Sequence, residues 1–258
     1  MKFSEMSPDY MYEKISEHWD NWIKTNNIPS DMKYVVAISG GKDSTVVAAL
    51  AVKKFGKDCV IGVTLPCDEQ SDYEDSLAVI NHLGIKHYCI NIGDAFASII
   101  NGIENNAIDV SYDTKTNLPA RLRMATTFAV AQSVGGMMLN TGNLTEQIVG
   151  YCTLFGDDSG SYAPIKGLTV TEVINLGDWL GVPSYLVHKV PIDGLQPLTD
   201  EQKLGIKYSE IDNYIRNNCG SNELKTKIDT MYNKNLFKSE IINVPGYTFP
   251  EMANHLID

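Results

Sequence analysis

The run Tyr34-Val35-Val36-Ala37-Ile38, followed at once by Ser39-Gly40-Gly41-Lys42-Asp43-Ser44, constrains this chain more than any other stretch. Five apolar residues without alternation predict a strand covered on both faces, as in parallel sheets. Asp43 to Phe55 has a helical pattern, with Gly56 as its stop. Strand, glycine loop and helix together open a βαβ unit, and open α/β folds bind ligands at the carboxyl ends of such strands. Adjacent glycines let the backbone approach a phosphate with no Cβ in the way. Ser39 and Ser44 add hydroxyl donors, and the helix start adds unpaired N–H groups that favour an anion. Asp43 cannot attract a phosphate, but a carboxylate suits magnesium, which prefers carboxylate and phosphate oxygens. A serine-capped Gly-Gly turn would need only part of this pattern. The loop is not GxxxxGK[ST], because aspartate follows Lys42.

The rest of the chain keeps the α/β alternation. A helix is predicted over residues 8 to 25, with Ser7 as cap, Pro8 at the first position and Met11, Ile15, Trp19, Trp22 and Ile23 at helical spacing. Strands are expected over Val60–Leu65, His87–Ile92 and Gly136–Asn140, and helices over Asp72–Leu83, Ala95–Ile103 and Leu118–Val134. Residues 104 to 117 are polar and aperiodic, which predicts a loop. Residues 150 to 167 read as a long structured loop. Beyond it, helices are predicted over Thr171–Leu180 and, as one piece capped by Thr199, over Asp200–Arg216. Residues 234 to 258 are expected to wrap the surface. With no repeat and no linker, residues 1 to 258 read as one domain with an open, mostly parallel sheet and helices on both faces.

At 258 residues and 43% apolar composition, the chain can bury one substantial core. No stretch approaches the roughly 18 apolar residues of a membrane helix, and the N-terminus lacks the apolar core of a secretory signal, so the cytoplasm is the expected compartment. The net charge of −11 argues against nucleic acid as a partner, since such binding needs clustered Lys and Arg. It leaves room for a small anionic ligand. Five cysteines without a CxxC pair indicate neither zinc nor a disulfide framework. Cys59 and Cys89, in or beside apolar runs, read as small buried thiols.

The loop Ser39–Ser44 matches the SGGxDS pattern of the ATP pyrophosphatases, which cleave ATP between its α- and β-phosphates. Several later segments follow in order: Asn117-Leu118-Pro119-Ala120-Arg121-Leu122-Arg123-Met124, Thr141-Gly142-Asn143-Leu144-Thr145-Glu146, Gly150-Tyr151-Cys152-Thr153-Leu154-Phe155-Gly156-Asp157, Leu180-Gly181-Val182-Pro183 and the stretch from Thr199 to Asp212. With the loop, this ordered set resembles ammonia-dependent NAD synthetase over roughly residues 10 to 240. The resemblance implies a Rossmann-like, adenine nucleotide α-hydrolase-like fold. It also implies a reaction in which deamido-NAD attacks the α-phosphate of ATP, pyrophosphate leaves, and ammonia converts the adenylate to NAD and AMP.

Carried over residue by residue, Ser39, Gly40, Gly41, Lys42, Asp43 and Ser44 would bind ATP phosphates, with Thr141 also on ATP. Asp43 and Glu146 would hold magnesium, and Lys42, Asp43 and Glu146 would form the catalytic group. Arg121, with Arg123 beside it in sequence, would meet deamido-NAD, since an Arg can grip a phosphate or carboxylate with two hydrogen bonds. The resemblance further implies a homodimer, with the aromatic N-terminal helix as one candidate contact. No glutamine-hydrolysing domain is expected, so ammonia would be the nitrogen donor.

Four positions depart from the family pattern. Val170 stands where a lysine reaches the ATP phosphates, and Ile192 stands where a serine or threonine contacts ATP. Leu154 replaces a frequent lysine, and Ser161 an aspartate on the dinucleotide side. Lys42 or Lys166 is the expected substitute cation. The same departures admit another small carboxylate as substrate, or a nucleotide-binding relative without turnover.

Overall fold

The computed structural model describes residues 6–68, 73–189 and 199–249. Four strands lie in the order β3-β2-β1-β4, all parallel: β1 (Lys33–Ala37), β2 (Val60–Thr64), β3 (Lys86–Cys89) and β4 (Gly136–Met138). The pleat explains the unbroken apolar run in β1. Tyr34 and Val36 enter the larger core on one face, whereas Val35 joins Ile61, Val63 and Ala131 on the other. The larger core packs α1 (Pro8–Thr25), α2 (Lys42–Phe55), α3 (Tyr73–Leu83) and α7 (Val170–Trp179) against the sheet. The opposite face is covered by α5 (Tyr112–Ser133), with α4 (Gly93–Glu104) beside it. This is the two-faced α/β architecture expected.

Helix α1 is capped by Ser7, whose hydroxyl accepts from the Tyr10 N–H at 3.3 Å. Trp19 is fully buried and stacks on Tyr162 with ring centroids 4.6 Å apart, so this indole is core rather than a contact surface. A third cluster gathers α6 (Leu144–Val149), α10 (Tyr208–Asn217) and α11 (Asn222–Ile241) around Ile211, Ile215 and Ile228. It stands behind the carboxyl edge of the sheet.

Several expectations are corrected. The loop predicted over 104 to 117 is shorter, because α5 starts at Tyr112, with the Ser111 side chain accepting from the Thr114 N–H at 3.1 Å. Its first turns are largely exposed, so no apolar stripe marks them. The single helix predicted from Asp200 is two, α9 (Asp200–Leu204) and α10, separated at Gly205, whose φ of +64° ends α9. The tail prediction overlaps α11, which runs to Ile241; residues 242 to 249 follow it without helix, burying Val244 and Phe249, and residues 250 to 258 lie outside the described residues. Helices α6, α8 (Ser184–Val187) and the part of α11 before residue 234 had no expectation. Cys89 is exposed rather than buried, and Cys59 is half-buried.

Candidate nucleotide-binding site

The loop after β1 is held open by its own hydrogen bonds. Ser39 and Ser44 hydroxyls lie 3.1 Å apart, the Gly41 N–H donates to Ser39 Oγ at 3.2 Å, and Thr45 Oγ1 donates to the Gly41 carbonyl at 2.7 Å. Gly40 has a φ of +75°, and a Cβ there would lie 2.8 Å from the Asp75 Cβ and 2.9 Å from the Ser76 backbone nitrogen. Glycine is therefore required twice, by conformation and by the close approach of α3. Gly41 caps α2 without any side-chain hydrogen bond, which leaves the first-turn N–H groups facing the cleft.

Opposite the loop, Asn143 caps α6. Its Oδ1 accepts from the Glu146 N–H at 3.0 Å, and Glu146 Oε2 accepts from the Asn143 N–H at 3.3 Å. The same Asn143 donates through Nδ2 to Asp43 Oδ1 at 3.0 Å, so one cap holds two carboxylates near each other. Lys42 Nζ donates to Asp43 Oδ2 at 2.8 Å, and its side chain is 4% exposed. Burial and the neighbouring Asp43 charge push the Glu146 carboxyl up to about 8, against the pull of Lys42. Burial works against the Lys42 ammonium, but the charges of Asp43 and Glu146 prevail and hold its pKa above the ordinary value.

These groups line one cavity of about 1020 Å³, at the top of the roughly 300–1,000 Å³ range of ligand sites. Ser39, Gly41, Lys42, Asp43, Ser44, Thr141, Glu146 and Arg123 all reach it. Arg123 Nε donates to the Leu65 carbonyl at 3.0 Å. Arg121 is not among the lining residues and instead donates to the Leu154 carbonyl at 3.2 Å. Lys166 stands in an adjoining cavity of about 70 Å³ that also borders Glu146. There its Nζ donates to Asn243 Oδ1 at 2.5 Å and the Val244 carbonyl at 2.9 Å. Val170 is buried with α6 and α10, its N–H donating to Thr145 Oγ1 at 3.1 Å. Ile192 lies outside the described residues.

Tyr151, Lys189 and Asp200 also line the cleft without having been singled out as ligands. Tyr151 donates to Asp200 Oδ1 at 2.9 Å, and Lys189 Nζ lies 2.6 Å from Asp75 Oδ2. Asn143 was legible as a cap, three residues before a glutamate. For Lys189 no local pattern exists.

A family model described as NAD synthase matches residues 11–244. The chain belongs to the NAD synthase family. The NH3-dependent NAD+ synthetase of Pyrococcus furiosus is 38% identical over 79% of this chain and 77% of that protein. The one from Carboxydothermus hydrogenoformans is 32% identical over 91% of this chain and 98% of its own length. Among solved structures, NMN synthetase from Francisella tularensis superposes with a TM-score of 0.82 at 31% identity, covering 94% of this chain and 100% of that one. Family membership makes the chain an NAD synthetase-type ligase that forms a carbon–nitrogen bond.

Proposed function

We propose that this protein amidates the nicotinate carboxylate of deamido-NAD with ammonia, using ATP. The carboxylate oxygen attacks the α-phosphorus of ATP and pyrophosphate leaves. The nitrogen lone pair of ammonia then attacks the acyl carbon, AMP departs with the bonding electrons, and the nitrogen sheds a proton to give NAD. The observation that carries this reading is a single cleft holding the uncapped loop, Thr141 and the Asp43–Glu146 pair together.

Positioning and charge do the chemistry, since no side chain needs to form a covalent bond. Ser39, Ser44 and the α2 N–H groups would hold the departing phosphates, with Lys42 beneath them. Asp43 and Glu146 are oxygen-only donors bridged by Asn143, a set that fits magnesium. Among the described residues no third acidic, histidine or cysteine group completes a resident site, which suits an ion arriving with ATP. When bound, magnesium would neutralise charge on the phosphates. Arg123, from α5, is the better placed of the two arginines for the nicotinate nucleotide, with Arg121 at the edge.

The test is to combine the protein with Mg-ATP, ammonium and deamido-NAD and follow NAD, AMP and pyrophosphate. Absence of all three products would overturn the reading. A second acceptor is favoured by one observation, the full-length likeness to an NMN synthetase. Leu154 and Ser161 agree with it, as neither side chain offers charge to the distal half of a dinucleotide. Nicotinate mononucleotide in the same assay decides between them: preferred NMN formation would transfer the proposal to the mononucleotide. The family resemblance also carries a homodimer in the cytoplasm, which sedimentation and cell fractionation test. No helix among the described residues is long and apolar enough to cross a membrane.

A further inference from the structure

The two ends of the phosphate loop differ in charge. At the Asp43 end, Lys42 is enclosed and committed to Asp43 and Glu146. At the other end, Gly40 packs against Asp75 and Ser76 of α3. A triphosphate carries several negative charges and spans such a loop, so a cation on the Lys42 side alone leaves the Gly40 side without one.

Lys189 stands there. Its Nζ is 2.6 Å from Asp75 Oδ2, and the Asp75 Cβ is the atom nearest to where a Gly40 Cβ would be. The ammonium thus rests one short side chain away from the loop, and Lys189 lines the same cavity as Ser39, Gly41 and Ser44. Its base is fixed, because Leu186 and Val187 of α8 are fully buried and α8 packs on α2. The four-carbon stem is free to turn, with the Lys189 side chain 28% and the Asp75 side chain 35% exposed. Ion pairs with that exposure are weak, so a carboxylate is readily exchanged for a more highly charged phosphate.

We propose that Lys189 is a further ATP-binding residue, resting on Asp75 in the free protein and moving onto phosphate oxygens when ATP enters. The inference rests on the ATP-binding part of the function proposed above. It assigns to Asp75 the role of a positioning residue that competes with ATP for one ammonium.

The two partners are predicted to diverge. Calorimetric titration of Mg-ATP into wild type, K189M, K189R and D75N reads the effect directly. K189M should weaken ATP binding about tenfold or more, the scale of one lost charge-assisted contact, while leaving affinity for the nicotinate nucleotide unchanged. K189R should keep most of the affinity. D75N should tighten ATP binding by about two- to fivefold, the scale of an exposed pair released. Thermal melts show whether each variant is folded, and D75N tests the same exchange without touching the lysine. Equal weakening by K189M and D75N would mean that the pair only ties α8 to α3, and would overturn the inference. So would unchanged binding in K189M. If wild type binds Mg-ATP but makes no AMP with any nicotinate nucleotide, the proposed reaction falls while these binding outcomes still judge Lys189.

Discussion

Gly40 and Gly41 are adjacent and chemically identical, yet alanine is expected to act on them in opposite ways. At Gly40 the φ of +75° places an alanine in the left-handed region, which costs about 1–2 kcal/mol. The new Cβ would also sit 2.8 Å from the Asp75 Cβ and 2.9 Å from the Ser76 backbone nitrogen, both on the first turn of α3. A backbone cannot swing aside as a side-chain tip can, so α3 must shift, at roughly 1–3 kcal/mol for overpacking. G40A should therefore lose about 2–5 kcal/mol. Gly41 has a φ of −83° and ψ of 162°, which any residue adopts, and its nearest obstacle is Ser39 Oγ at 3.3 Å. A hydroxyl can rotate, and the loss of unfolded-chain freedom favours alanine by about 0.4–1 kcal/mol, so G41A should stay within about 1 kcal/mol of wild type. Because Gly41 borders the cavity, its methyl group should intrude on the phosphates and weaken Mg-ATP binding. Urea unfolding followed by circular dichroism measures the first quantity, calorimetry the second. Equal destabilisation by the two variants would refute the reasoning, since it would mean that neither φ nor the α3 contact matters.

Arg216 donates to both Glu172 oxygens, at 2.8 and 2.6 Å, and to the Gly167 carbonyl at 2.7 Å, so R216M strands a buried carboxylate and should cost about 3–5 kcal/mol in urea unfolding. An R216M/E172Q double variant should recover part of that, and no recovery would show that the charge was not the cause. Burial lowers the His18 and His87 pKa values below the ordinary 6.5, so the unfolded chain binds protons first as pH falls. Their contribution should be full above about 6.5 and decline below it, so the melting-temperature advantage of wild type over an H18Q/H87Q variant should shrink toward pH 5.5, and an advantage that grows contradicts this. Above about pH 8, where Glu146 is charged beside Asp43, E146Q removes one of two neighbouring like charges, so the free protein should melt higher there while AMP formation is lost; a lower melting temperature at that pH would count against the strain. K42M should slow ATP turnover by about tenfold to a hundredfold, and adding V170K should restore part of it if the two positions serve one charge; a double variant no faster than K42M would separate them.

What was legible depended on whether a segment meets the core through apolar side chains. Strand β1 and the two ends of α2 were readable because Val35, Val36, Val46 and Val47 are all fully buried and a glycine closes each turn. Helix α11 was not, because among its 20 residues only Ile228 is fully buried. It is held to α6 partly by polar contacts, Asn235 Nδ2 to the Val149 carbonyl at 3.4 Å and Lys238 Nζ to the Gly150 and Cys152 carbonyls at 2.8 Å. Such contacts leave no 3.6-residue stripe. The break at Gly205 was missed because Ile206, Tyr208 and Ile211 continue an apolar pattern across a residue that turns left-handed. In the site, the loop and Glu146 announce themselves by local motifs. Lys189 meets Asp75 across 114 residues, a pairing that only the closed fold creates.

The loss of a lysine at position 170 also looks different once its surroundings are known. Val170 is 5% exposed and packs with Leu144, Ile148 and Tyr208 at the start of α7. That start is fixed by Asp212, which accepts from Thr145 Oγ1 at 2.6 Å and from the Thr171 N–H and hydroxyl at 2.8 and 2.6 Å. A lysine there would have to run its stem past Tyr208 to reach the phosphates. Lys42 already places its Nζ 5.6 Å over the Tyr208 ring and within reach of the Glu146 and Asp200 charges. Two ammonium groups in that space would repel each other in a poorly solvated site. A valine at 170 is therefore what the fold favours once residue 42 is a lysine. On the function proposed above, Lys42 at the start of α2 would supply the positive charge that the family pattern places at the start of α7, beneath the same loop.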